Sequence, residues 1–195
     1  MRQNPKLRSS CFLTPTCKRA VIPPWDNLAG PYSDESIQRW KYMSSQATPQ
    51  DAELILKLYD LRREPVMREA RSFMATFSPK SYDDVAALAN SFGTKEQTYL
   101  RQVSGYWEMA ASLVNRGAIN RELALDNYQE MFFIYAKMEP YVEEFRQKMG
   151  QPNAFRQVQQ LVESSEENKQ RLKAMQAMQA EMAQRRAQAT AGVAS

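Results

Sequence analysis

The chain has 195 residues, 43% of them hydrophobic and 25% charged, which suits one globular domain of ordinary size with tails. Its longest apolar run, residues 131–136, falls far short of the roughly 18 residues a membrane-spanning helix needs, so no transmembrane segment is expected. Histidine is absent, which removes the commonest general base and metal ligand, while a formal charge of +4 directs attention to anionic partners.

That charge lies at one end. Residues 1–42 hold seven basic residues (Arg2, Lys6, Arg8, Lys18, Arg19, Arg39, Lys41) against three acidic ones (Asp26, Asp34, Glu35), whereas residues 43–195 hold 19 of each. The same segment carries both cysteines, Cys11 and Cys17, and five of the ten prolines. No helical period runs through it, and Pro23-Pro24 would break a helix there. The acid-free stretch up to Ala20 is compatible in composition with a transit peptide, but lacks the amphipathic helix such peptides use. Residues 1–47 are expected to form a disordered basic arm. Met43 opens a polar lead into a capped helix and is a candidate start, in which case residues 1–42 are an upstream extension. The spacing of Cys11 and Cys17 fits neither a redox pair nor a zinc knuckle. Trp25, Tyr32, Trp40 and Tyr42, interleaved with cations, suit single-stranded nucleic acid, so nucleic-acid binding is expected only through this arm.

From Thr48 onward apolar residues recur at helical spacing and nothing alternates like a half-buried strand. Thr48 is placed to cap a helix with Pro49 in its first turn, and Leu54, Ile55, Leu58 and Leu61 on its inner face. Pro65 ends that helix and starts a second, with Val66, Ala70, Phe73 and Phe77 inward. Ser81 and Asp84 form a capping box for a short helix bearing Tyr82, Val85, Leu88 and Phe92, which Gly93 stops. Thr94-Lys95-Glu96-Gln97 is expected to form a better capping box and opens the clearest helix, striped by Leu100, Val103, Trp107, Ala110 and Val114. Asn120 can cap a short turn through Leu125. The next stripe, Tyr128, Met131 or Phe132, Tyr135, Met138, Val142, Phe145 and Met149, passes through Pro140. That proline is expected to kink or divide the helix without changing its buried face. Gln151-Pro152 is expected to begin a helix carrying Phe155, Val158 and Val162. Ser164 and Ser165 lead into an Ala/Gln/Met-rich helix toward residue 189. Its apolar positions, Leu172, Met175 and Met182, are few, so it is expected to pack loosely or to project. The fold class is therefore all-α, a bundle or orthogonal array of about six helices. Residues 48–163 form its helical domain, and residues 164–195 an amphipathic helix with a frayed tail.

Beyond residue 42 there is neither Cys nor His, so Cys/His zinc sites, Cys–His nucleophiles and Ser–His–Asp triads are excluded there. No phosphate-cradling, dinucleotide or calcium loop is present. No catalysis, cofactor or metal is expected. Two carboxylates still stand beside apolar stripes. Glu108 follows Trp107 and could be a buried ion-pair member or ligand contact, with Arg101 or Arg71 as its partner. Glu130 precedes Met131-Phe132-Phe133. For both, a solvated flank is the more common arrangement. Arg71, Arg101, Trp107, Glu108 and Glu130 are thus the candidate buried-polar or interaction residues, and a carboxylate enzyme built on Glu108 and Glu130 is the catalytic alternative. Methionines exposed on the last helix would offer an adaptable partner surface.

The stretch Tyr59-Asp60-Leu61-Arg62-Arg63-Glu64-Pro65 with Met67-Arg68-Glu69-Ala70-Arg71 resembles an uncharacterised family of small bacterial helical proteins. So do Gly105-Tyr106-Trp107-Glu108-Met109-Ala110-Ala111-Ser112-Leu113-Val114, Gly117-Ala118-Ile119 and Ala136-Lys137-Met138-Glu139-Pro140. The resemblance spans about residues 48–150 and implies a helical domain in a bacterial cytosolic setting, with no reaction attached. The function expected is that of a cytoplasmic, non-catalytic protein that binds another protein or itself. The alternative is nucleic-acid binding through the basic arm.

Overall fold

Four of the helix starts are written locally in the sequence, and a computed structural model of the chain, which describes residues 46–193, builds each of them. The Thr48 hydroxyl accepts the Asp51 amide at 3.2 Å and the Asp51 carboxylate accepts the Thr48 amide at 2.7 Å, closing a capping box. Ser81 and Asp84 make the same reciprocal pair, with Lys80 donating a further backbone N–H to Asp84. These bonds hold both aspartates below the ordinary carboxylate pKa, Thr48 acting most on Asp51 and the Lys80 amide most on Asp84. The Thr94 and Asn120 side chains each accept one first-turn amide, and at Thr94 the return bond from the Gln97 side chain that would complete the expected box is not made.

The described residues form eight helices and no strand: α1 (Pro49–Arg63), α2 (Pro65–Thr76), α3 (Tyr82–Asn90), α4 (Lys95–Asn115), α5 (Arg121–Asn127), α6 (Gln129–Lys148), α7 (Arg156–Val162) and α8 (Glu166–Val193). α4 packs against α2, α3, α5 and α7, and α6 against α3, α7 and α8. The core lies around these two helices. Val103, Ala110 and Ala111 of α4, Met131 and Phe132 of α6, and Met74 of α2 are fully buried within it. A Phe or Met taken wholly out of water contributes on the order of 2 kcal/mol, so this interior outweighs the local caps.

The all-α expectation is met, with differences in detail. As expected, a short helix capped by Asn120, α5, precedes a long one, α6, with Tyr128 between them. Pro140 does not divide α6. It sits exposed in the continuous helix, with Met138 and Val142 buried on either side, so the inner face is kept. α7 starts at Arg156 and not at Pro152, because Phe155 adopts a left-handed backbone (φ 53°) that ends the preceding turn. Gly93, at φ 84°, sits in the left-handed region expected of a helix stop. Phe92, beyond the end of α3, is 77% exposed, and Leu61 and Val66 are exposed as well. On α2 the inward positions are Met67, Ala70 and Met74, with Phe73 and Phe77 half-buried. Leu172 and Met175 of α8 pack against the core, whereas residues 180–185 are exposed. The expectations for residues 1–45 lie outside the described residues.

Candidate functional site

Pro65 breaks the chain between α1 and α2, and the turn lets Arg71 reach back to the end of α1. An Arg71 guanidinium nitrogen donates to the Arg62 carbonyl at 3.3 Å. Its Nε donates to both oxygens of Glu130, at 2.7 and 2.9 Å, and Arg62 pairs with the same carboxylate. The Glu130 and Arg62 side chains are each 16% exposed and that of Arg71 is 32% exposed, so water screens this triad only in part. Glu130 stands in the first turn of α6 and Arg62 in the last turn of α1, each the favourable sign for its helix end. The hydrogen bond to Glu130 raises the Arg71 pKa further above its ordinary value.

An aromatic floor supports the triad. The Arg62 guanidinium lies 5.3 Å from the centre of the buried Trp107 ring and 5.8 Å from that of Tyr59. Trp107 meets Tyr106 and Tyr128 edge-on at 4.9 and 5.4 Å. The Tyr106 hydroxyl donates to the Leu58 carbonyl at 2.9 Å, and burial pushes its pKa up to about 12. The Arg62 Nε is buried without a hydrogen-bond partner.

Arg62, Arg71 and Glu130 form one wall of a cleft of about 670 Å³, joined there by Arg68. The remaining lining includes Phe133 of α6 and Met175 and Met178 of α8. Three guanidiniums therefore face the cleft with one carboxylate. Beside it, Lys137 closes the end of α2, its Nζ donating to the Met74, Ala75 and Phe77 carbonyls at 2.9, 2.7 and 2.7 Å. The same ammonium lies 4.5 Å from the Phe133 ring centre.

Glu108 belongs to a different structure. Its carboxylate accepts the amides of Gln157 at 3.2 Å and Val158 at 3.0 Å, which open α7. No side chain of α7's own N-cap performs this task, so a residue of α4 caps α7 across the fold. Asn115 reinforces the contact by donating to the Gln157 carbonyl at 2.9 Å. Neither expected partner reaches Glu108: Arg71 is turned to Glu130, and Arg101 is exposed beside a second cleft of about 490 Å³ that Glu108 also lines. Glu108 and Glu130 thus face separate clefts. Of the five candidates, the structure brings Arg71, Glu130 and Trp107 together around Arg62. Sequence reasoning did not single out Arg62, Arg68 or Lys137. For Arg62 the available signal was its place one turn before a helix-ending proline.

Among the described residues no group of three or more Cys, Asp or Glu is placed to hold a metal ion, and no helix is long and apolar enough to cross a membrane. No curated protein and no solved structure matches the chain significantly. The sequence profile of DUF4760, a domain of unknown function, matches residues 47–165. That span takes in α1 to α7 whole, with the Arg62, Arg71 and Glu130 triad, and stops where α8 begins. The chain belongs to the family defined by this domain of unknown function, DUF4760.

Proposed function

We propose that this protein works without catalysis, in the bacterial cytoplasm, by binding another protein or a second copy of itself. The observation that carries this reading is the apolar stripe of α8. Leu172 and Met175 pack on the core, and the same face continues at helical spacing through Met178 and Met182, which are 38% and 46% exposed. Methionine is unbranched and polarizable, so such a stripe adapts to a partner surface more readily than a branched one. Both candidate carboxylates are committed to structural contacts, Glu108 to a helix start and Glu130 to two arginines, which favours a binding role over acid–base work. Residues 43–195 carry balanced formal charge, so a nucleic-acid role would fall to the basic arm, outside the described residues.

Sedimentation of the full chain, together with affinity capture from the native host, tests the reading. The expected result is a concentration-dependent oligomer or a captured protein partner, either one lost in Met182→Glu. A monomer at every concentration with no captured protein overturns it. Salt-dependent nucleic-acid binding that disappears on removing residues 1–42 would put the alternative in its place.

A further inference from the structure

We infer that the cleft between α2, α6 and α8 binds a small anionic amphiphile, a carboxylate or phosphate head carried on an apolar tail. The site goes beyond the protein-binding reading and does not depend on it. Its polar wall has an excess of positive charge, with Arg62, Arg68 and Arg71 against Glu130 alone. Arg62 and Arg71 share that carboxylate, and the buried Nε of Arg62 still has no acceptor. One carboxylate against two guanidiniums leaves net positive charge for an anion in the cleft to answer. Arg68 is exposed, and none of the ion pairs of the described residues engages it. Guanidinium groups offer paired N–H donors that match carboxylate and phosphate oxygens.

Glu130, in the first turn of α6, already answers the positive end of that helix, so the charge left over in the cleft is that of the arginines. The other lining suits a tail. Phe133, Met175 and Met178 supply an apolar surface in which the methionine side chains can adjust to chain shape. The volume, about 670 Å³, lies within the range of roughly 300–1,000 Å³ typical of small-molecule sites. A head without a tail leaves this surface wet, and a tail without a head leaves the excess positive charge unanswered.

The test follows the methyl signals of Met175 and Met178 by NMR in the full chain as ligands are added. Decanoate or decyl phosphate is expected to shift both signals saturably, with the tighter of the two identifying the head. Decanol, acetate and inorganic phosphate are expected to leave them in place at the same concentrations. Added salt should weaken the binding, since the cleft is open to solvent. Arg68→Gln is expected to weaken decanoate binding about fivefold, the scale of one exposed charge contact. Met178→Gln should also weaken it, whereas Met182→Glu, outside the cleft, should not. Decanol binding as well as decanoate, or decanoate binding unmoved by Arg68→Gln, overturns the site. So does the absence of any methyl shift with decanoate and decyl phosphate.

Discussion

Glu130 answers two guanidiniums with one carboxylate, and its neighbours cannot replace it. With the charge gone, Arg62 remains over Trp107 and Arg71 remains against the end of α1, both partly dehydrated and facing each other. Breaking a fully buried ion pair costs about 3–5 kcal/mol and breaking an exposed one under about 1 kcal/mol. At 16% side-chain exposure Glu130 falls between these limits. Glu130→Gln is therefore expected to destabilise the protein by about 2 kcal/mol in chemical denaturation. Arg68→Gln, on the same cleft but exposed, should change stability by no more than about 0.5 kcal/mol. Equal stability of Glu130→Gln and the parent chain would mean that the triad is bathed in water.

Among the elements, α7 depends most on the rest of the fold. Seven residues cannot sustain a helix alone, and Phe155, left-handed at its start, offers no capping side chain. Glu108 satisfies its first amides from α4, so Glu108→Ala should cost about 1–2 kcal/mol and speed hydrogen exchange at Gln157 and Val158. Glu108→Gln keeps an acceptor and should cost less; unchanged exchange in the alanine variant would refute the cap. The same element marks where reading the sequence stops working. Thr48, Ser81, Thr94 and Asn120 announce their helices because a capping side chain and the amide that donates to it lie three residues apart. The cap of α7 comes from about fifty residues away, so the local sequence points to Pro152 as the start and to Glu108 as a solvated flank. On α2 the choice between Val66 and Met67 as the inward residue was made by α4, which no local period records. The site was legible to the same degree. Arg71 and Glu130 stood out singly, but their pairing across 59 residues and the part of Arg62 are products of the fold.

At the scale of the molecule, α8 joins two kinds of surface, and the boundary between them can be located. The family match ends at residue 165, yet the first half of α8 covers the core. Asn168, 4% exposed, donates to the Leu161 carbonyl at 3.3 Å, and Arg171 donates to the Leu125 carbonyl at 3.0 Å. Arg171 also lies 4.9 Å from the Phe132 ring centre, and Gln179 donates to the Phe133 carbonyl at 2.8 Å. No such contact with the body comes from residues 180–185, whose side chains are exposed. Two truncations separate these halves. Ending the chain at Ser165 uncovers Phe132, Phe133 and part of α7, a few hundred Å² of apolar surface, at a cost on the order of 5 kcal/mol. Because small domains have total stabilities of about 5–15 kcal/mol, that chain should melt far lower and bind a hydrophobic dye. Ending the chain at Gln184 keeps every contact of the packed half named above and should leave the melting temperature unchanged. Equal stability of the two truncated chains would mean that α8 contributes nothing to the core, and the apolar stripe read as a partner surface would then begin at Leu172 instead of Met178.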